Sequence, residues 1–141
     1  MIRVATGSDI PSIVEIENLS FDVPWSSRVF RSYADYPGFI VIESDGVILG
    51  YAVLVVIKRV AHLASIATHP KYRRMGVATA LLEGCVILAK QNSYSLIRLE
   101  VREKNKNARE FYLSNGFEVT GSILNYYPDD NAIVMELDLG R

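Results

Sequence analysis

The sequence has little of what stabilises secreted proteins or inserts a chain into a membrane. Cys85 is the only cysteine in 141 residues, so no intrachain disulfide can form, which fits a reducing compartment. The longest apolar stretch, Val47 to Ile57, is interrupted by Gly50 and is shorter than the about 20 residues that span a bilayer. The segment Met1 to Ala5 lacks the apolar core of a signal peptide. We therefore predict a cytoplasmic protein without membrane association.

An excess of charge of either sign is also missing. The chain has 15 Lys and Arg against 16 Asp and Glu, for a formal net charge of −1. Broad basic surfaces that bind nucleic acid need a positive balance, so we predict no nucleic-acid partner. His62 and His69 lack the spacing of metal ligands, so we predict no metal site. Half of the residues are apolar, which suffices for the core of one domain covering residues 1–141.

The order of hydrophobic periodicities predicts an α/β domain. Capping residues and helical spacing predict helices from about residue 11, from 26 or 27 to about 34, over 74–91 and over 105–115. Alternation and turn residues predict strands over 2–5, 39–43, 47–57, 61–68, 96–102, 117–126 and 132–139. Strands that alternate with helices in this way predict a mixed central sheet flanked by helices.

The segment from His69 to Thr79, between a predicted strand and a predicted helix, has the features of an anion-binding turn. The first turn of a helix has unpaired amide protons and a partial positive charge, which bind phosphate. Gly76 and the small Ala78 allow a close approach of the backbone. Lys71, Arg73 and Arg74 add positive charge beside the turn. The segment lacks the nucleotide P-loop ending, and by itself it is more simply interpreted as a tight turn with a basic rim.

Four separated motifs, in the right order, resemble the GNAT superfamily of N-acetyltransferases. Arg73-x-x-Gly76-x-Ala78 is similar to its pyrophosphate-binding signature, Gln/Arg-x-x-Gly-x-Gly/Ala. A second motif resembles the second half of that fold: Leu99-Glu100-Val101-Arg102-x-x-Asn105-x-x-Ala108-x-x-Phe111-Tyr112-x-x-x-Gly116-Phe117. Pro24-Trp25-Ser26 and Asn125-Tyr126-Tyr127-Pro128 resemble the start and the end of the ribosomal-protein-alanine (RimI-type) and archaeal N-terminal acetyltransferase branch. The resemblance covers essentially the whole chain.

This resemblance implies a GNAT fold and acetyl-coenzyme A as the cosubstrate. The backbone of Ile66, Ala67 and Thr68 is expected to pair with the pantetheine arm. The pyrophosphate is expected to bind the turn formed by Arg73, Arg74, Met75, Gly76, Val77, Ala78 and Thr79. Asn105 is expected to contact the cofactor. Thr68 departs from the commoner aliphatic residue and Ala78 from the commoner glycine, and both substitutions are compatible with the fold.

The resemblance also implies that the acceptor is the free α-amino group of a protein or peptide N-terminus, with a ribosomal protein as one candidate. Such an amine has a pKa near 8, against about 10.4 for lysine. At pH 7 about a tenth of the α-amine is neutral but only about 0.04% of lysine, a difference of about 3.3 kcal/mol. A carboxylate that acts through a water molecule is therefore enough help for an α-amine.

Glu100 is the candidate general base and Tyr112 the candidate general acid. Alternation places Glu100 on the polar face of its strand, where an ion pair with Arg98 or Arg102 is the simpler interpretation. The motif favours the catalytic role. A tyrosine hydroxyl can donate a proton to a departing thiolate with a pKa near 8.5. Without the motif, Tyr112 would be read as a core tyrosine beside Phe111.

Trp25, Tyr126 and Tyr127 are candidates for the acceptor groove. Trp25 is equally compatible with the core and with the groove. Tyr126 and Tyr127 are adjacent, so on an extended backbone their side chains point to opposite faces and at least one reaches the groove. Cys85 lies on the apolar stripe of a helix and is predicted to be a core residue.

The main alternative is an acetyltransferase of the same fold that acts on a small-molecule amine or a lysine side chain. The aromatic segment Asn125 to Pro128 argues against a small polycation, which an acidic pocket would bind better. A non-catalytic coenzyme A-binding module is a second alternative. Such a module would need neither Glu100 nor Tyr112.

Overall fold

The computed structural model describes residues 1–57 and 59–140. Their strands are β1 (Ile2–Val4), β2 (Phe39–Ser44), β3 (Val47–Ile57), β4 (Val60–Thr68), β5 (Leu96–Arg102), β6 (Glu118–Tyr127) and β7 (Asp130–Asp138). Their α-helices are α1 (Ile10–Ser20), α2 (Ser27–Ser32), α3 (Val77–Gln91) and α4 (Lys106–Ser114). The strand order is β1-β2-β3-β4-β5-β7-β6. Since β4 pairs with β5 in parallel and β5 with β7 antiparallel, the predicted mixed sheet is confirmed.

The chain forms two compact units. The first consists of Met1–Leu54 and Ser65–Leu88, and the second of Val55–Ala64 and Ala89–Arg141. In the first unit, α1 buries Ile10, Ile13 and Ile16 at the spacing of one helix face. In the second unit, Ile97, Leu99 and Val101 of β5 are buried and alternate with half-buried polar residues, as the sequence pattern predicts.

A partly buried ion pair fixes the start of α1. Arg3 donates two hydrogen bonds to Asp9, at 2.7 and 2.9 Å, and Asp9 also accepts the Thr6 amide at 2.9 Å. The hydrogen bond from Arg3 holds the pKa of Asp9 below its usual value. Bidentate guanidinium–carboxylate pairs are among the stronger polar contacts in proteins, so Asp9 orients the helix that precedes the Phe21–Ser26 loop.

Helix α3 begins three residues later than the sequence pattern predicts, at Val77 rather than Arg74. Arg74 and Gly76 have φ values of 64° and 80°, in the left-handed region that ends or precedes a right-handed helix. The helix buries Leu81, Leu82 and Cys85. Cys85 is thus a core residue, as predicted, and burial raises the pKa of its thiol to about 12.

Helix α4 has the predicted cap. The Asn105 side-chain oxygen accepts the Ala108 amide at 3.2 Å, which satisfies one of the free donors of the first turn. The helix ends at Ser114, and Gly116 follows with φ of 94°, the conformation that glycine adopts most easily after a helix. Phe117 is buried immediately after this turn.

Candidate active site

The predicted phosphate turn lies in the first unit, at the start of α3. The Gly76 carbonyl accepts the Ala80 amide at 3.0 Å, so the amides of Val77, Ala78 and Thr79 occupy the first helical turn, where the helix supplies no acceptor. A Cβ atom on Gly76 would have no atom within 4 Å, so the space above the turn is open. Arg73, by contrast with the buried Val77, is exposed to solvent. The unpaired amide donors of a first helical turn bind anions when the space in front of them is open.

The end of β4 leads into this turn. Ile66 is half-buried, while Ala67 and Thr68 are buried. Among the described residues, the buried Thr68 hydroxyl oxygen has no hydrogen-bond partner. Buried polar atoms in native proteins are nearly always paired, so an orphaned one marks a position where a ligand can bind. The turn and this hydroxyl together fit a polar ligand that carries phosphate groups.

In the second unit, Glu100 is held by a histidine. His62 Nε2 lies 2.7 Å from Glu100 Oε1, and only 15% of the Glu100 side chain is exposed. The arginines that flank Glu100 in the sequence are engaged elsewhere: Arg98 Nε lies 2.7 Å from Glu136, and Arg102 pairs with Asp129. Glu100 therefore does not form the surface ion pair that alternation alone suggests, and it belongs to a partly buried polar cluster.

His62 was not among the predicted site residues. It lies on β4, and β4 pairs in parallel with β5 so that His62 faces Arg98. This register brings its ring to Glu100, two residues further along β5. In the sequence His62 is a lone histidine near the start of a predicted strand. Its contact with Glu100 cannot be predicted until the neighbouring strand and its register are known.

Tyr126 completes this cluster. Its exposed fraction is 49%. Partial burial and the hydrogen-bonded charge of Glu100 raise its pKa. His62, Glu100 and Tyr126 form the acid–base cluster, the name used below for these three residues.

Tyr126 and Tyr127 do not point to opposite faces, so that prediction is wrong. Their ring centroids lie 4.9 Å apart in an edge-to-face arrangement. The β6 backbone is irregular here, since its pairing with β7 shifts between Ile123 and Tyr127 and Asn125 has a φ of 56°, so the regular alternation on which the prediction depends does not hold. The Tyr127 ring lies 4.2 Å from the Arg102 guanidinium, and burial together with nearby negative charge raises its pKa to about 12.

Tyr112 and Asn105 also belong to the second unit. Tyr112 is buried in α4, and its ring packs edge-on against Phe111 and Phe117, with both centroid distances 5.4 Å. Asn105 is exposed at the start of the same helix. Its side-chain oxygen caps the helix, so its amide group is the part of the side chain that can donate to a ligand.

A buried carboxylate supports Trp25 in the first unit. Glu17 is 2% exposed, and it accepts the Trp25 backbone amide at 2.8 Å and the Tyr51 hydroxyl. Burial raises the pKa of Glu17. The Trp25 ring packs against Phe30 and Tyr33, with centroids 5.4 and 6.3 Å away. Trp25 is half-buried, so it packs on the core and keeps a solvent-facing edge.

The described residues contain neither a metal-binding cluster nor a helix that could span a membrane. No group of three or more His, Cys, Asp or Glu side chains in the described part of the chain is arranged to hold a metal ion. None of the helices in residues 1–57 and 59–140 combines the length and apolar character that a membrane crossing requires.

Comparison with known proteins agrees with this geometry. Residues 10–117 match the model of the acetyltransferase (GNAT) family. The chain therefore belongs to the GNAT family and is an acetyl-coenzyme A-dependent N-acetyltransferase. It is 33% identical over 132 residues to a protein of Bacillus subtilis described as a putative [ribosomal protein bS18]-alanine N-acetyltransferase, covering 90% of this chain and 87% of that one.

Two solved structures share the fold over nearly their full lengths. Ard1 from Thermoplasma volcanium superposes with a TM-score of 0.94 and 29% identity, covering 100% of this chain and 98% of that one. The ribosomal-protein-S18-alanine N-acetyltransferase from Escherichia coli superposes with a TM-score of 0.90 and 29% identity, covering 100% and 94%. These likenesses confirm the fold class that the motifs imply.

Proposed function

We propose that this enzyme transfers the acetyl group of acetyl-coenzyme A to the N-terminal α-amino group of a protein, with a ribosomal protein as one candidate acceptor. The observation that carries the proposal is the acid–base cluster, in which Glu100 is held by His62 and hydrogen-bonded to a half-exposed tyrosine. Relatives described as ribosomal-protein-alanine N-acetyltransferases support the same acceptor class. The proposed catalytic domain comprises residues 1–141, and its cytoplasmic location remains a prediction from composition.

Acetyl-coenzyme A supplies an activated thioester. We propose that the Arg73–Thr79 turn holds its pyrophosphate, since the amides of Val77, Ala78 and Thr79 occupy the first helical turn. Ile66 to Thr68 would hold the pantetheine arm through their backbone groups, and the orphaned Thr68 hydroxyl gives that segment one further donor. Asn105 would donate its side-chain amide to the cofactor.

Binding of acetyl-coenzyme A should stabilise the folded protein. At 100 times its dissociation constant the ligand should add about 2.7 kcal/mol to the free energy of unfolding, measured as a rise in Tm. Gly76→Asp should abolish this gain because it places a carboxylate at the pyrophosphate. Gly76→Asn is the matched control, since it imposes a similar left-handed strain without the charge and should keep part of the gain. A parent protein whose Tm ignores coenzyme A would contradict the cofactor assignment.

Acetyl transfer to an amine requires the amine to lose a proton before or during attack. Glu100 is the proposed base, and it removes this proton directly or through one water molecule. His62 orients the Glu100 carboxylate through the 2.7 Å contact. A hydrogen bond of this kind fixes which oxygen faces the acceptor, and such preorganisation is a large part of catalytic efficiency.

Tyr112 is the proposed acid. Its ring is held on two sides by Phe111 and Phe117, so its hydroxyl has a defined direction. Proton transfer from a tyrosine, with a pKa near 10, to the departing thiolate of coenzyme A, whose thiol has a pKa near 8.5, is uphill by only about 2 kcal/mol, which is accessible when the two groups are in contact.

A pair of peptides should test the acceptor class. A peptide with a free α-amino group should be acetylated at its N-terminus, while the same peptide with a blocked N-terminus and an internal lysine should react far more slowly. The physical reason is the about 3.3 kcal/mol greater cost of deprotonating lysine at pH 7. The measurement is the position of the acetyl group by mass spectrometry, with kcat/KM for each peptide. Equal rates would indicate a lysine acetyltransferase, and a preference for small amines would indicate the other alternative.

A further inference from the structure

The hairpin of β6 and β7, which carries Tyr126, contains a β-bulge in β6 opposite a single residue of β7. Ile123 pairs with Ala132, and Tyr127 pairs with Asp130. Three residues of β6, 124–126, therefore face one residue of β7, Asn131. Such bulges redirect side chains and occur preferentially next to active sites.

The Asn131 side chain replaces the ladder contact that the bulge removes. Its Oδ1 accepts the Asn125 amide at 2.9 Å, and its Nδ2 donates to Glu103 Oε1 at 3.0 Å. The Asn131 carbonyl accepts the Glu103 amide at 3.0 Å. Asn131 therefore ties the bulge of β6 to the segment that follows β5.

Tyr127 and the turn between β6 and β7 are held by other contacts, which do not involve Asn131. The Arg102 guanidinium lies over the Tyr127 ring and pairs with Asp129 in the turn, and the Lys104 amide donates to Asp130 at 2.9 Å. Tyr126 itself is half-exposed, and its ring contacts Tyr127 edge-on. Asn131 accepts the amide of the left-handed Asn125, which immediately precedes Tyr126, so Asn131 acts on the backbone from which the Tyr126 side chain projects.

We propose that Asn131 is a positioning residue, which keeps Tyr126 on Glu100 and against Tyr127 by holding the Asn125 bulge, and that it thereby sets the affinity for the acceptor peptide. This inference rests on the proposed function, since it assigns Tyr126 to the acceptor side of the reaction. It concerns the acceptor alone, because the contacts of Asn131 are to the hairpin and to Glu103, outside the proposed cofactor residues.

Asn131→Leu removes both hydrogen bonds at similar size, and Asn131→Ala is a smaller second variant. In either, kcat/KM for an α-amine peptide should fall about tenfold or more through KM, which corresponds to about 1.4 kcal/mol. KM for acetyl-coenzyme A should stay unchanged. A rescue variant combines Asn131→Asp with Glu103→Gln. It keeps an acceptor for the Asn125 amide, and the side-chain hydrogen bond between positions 131 and 103 is kept with donor and acceptor exchanged. The net charge is unchanged. The rescue variant should recover most of the loss.

A second readout does not depend on activity. NMR of the parent should show a cross-peak between the ring protons of Tyr126 and Tyr127, assigned with Tyr126→Phe and Tyr127→Phe, because the rings are in contact. Asn131→Leu and Asn131→Ala should lose it, and the rescue variant should restore it. A cross-peak that survives in both, or a rescue variant no better than Asn131→Leu, overturns the role of Asn131. A parent that acetylates no α-amine peptide would instead overturn the proposed function, while the cross-peak still tests Asn131.

Discussion

Replacing Glu100 with Gln should lower kcat at pH 7 on the order of 10²–10⁴-fold, the usual contribution of a general base. The shape of the side chain is kept, so acetyl-coenzyme A should still raise Tm. The defect should shrink as pH rises, because an α-amine with a pKa near 8 becomes neutral without help. The measurement is kcat against pH for parent and variant with one α-amine peptide.

The control for this variant is Glu136→Gln. Glu136 is also a half-buried carboxylate of the second unit, and it pairs with Arg98 at 2.7 Å, so its loss removes a similar charge outside the acid–base cluster. Its activity should stay near that of the parent. In Glu100→Gln, but not in the control, the pKa of Tyr126 should also fall, since the Glu100 charge contributes to its rise. Full activity of Glu100→Gln at pH 7 would assign deprotonation to solvent.

Replacing Tyr112 with Phe should also lower kcat on the order of 10²–10⁴-fold, through loss of the general acid. The ring and its packing against Phe111 and Phe117 are kept, so Tm and cofactor binding should change little. Unlike the Glu100 defect, this one should not be relieved at high pH, because alkali does not supply the missing proton. The measurement is again kcat over a range of pH.

Two comparisons separate this role from a structural one. Tyr94→Phe removes a hydroxyl from a half-buried tyrosine of the second unit and should leave kcat unchanged. With an acetyl donor of the same size whose thiol is more acidic, Tyr112→Phe should cause a smaller loss of kcat, since a better leaving group needs less protonation. Equal losses with both donors would contradict the assignment of Tyr112 as the acid.

The sequence predicted most elements of the fold because their signals are local. The alternation in β5 and the Asn105 cap of α4 depend only on neighbouring residues, and both are confirmed. The start of α3 was misplaced because the left-handed conformation of Arg74 is not visible in the sequence. A glycine such as Gly76 indicates a possible left-handed conformation, because glycine adopts it easily. An arginine gives no such indication.

The site was predictable only where motifs carry it. Glu100 was found through its resemblance to a family motif, while its partner His62 was not, because their contact depends on the parallel register of β4 and β5. The burial of Glu17 against Tyr51 and the Trp25 amide likewise depends on residues far apart in the sequence, so no local pattern indicates it. The mutual contact of Tyr126 and Tyr127 required knowledge of the bulge at Asn125.

The burial of Cys85 has a practical consequence for labelling chemistry. Maleimides and related reagents react with the thiolate, and a thiol whose pKa is about 12 is almost entirely protonated near neutral pH. The only cysteine of the chain is therefore unreactive toward these reagents while the protein is folded. A cysteine introduced on the surface would be the single labelled position for a fluorophore or spin label, with no need to remove the native one first. Reagent uptake by Cys85 itself would then report the opening of α3.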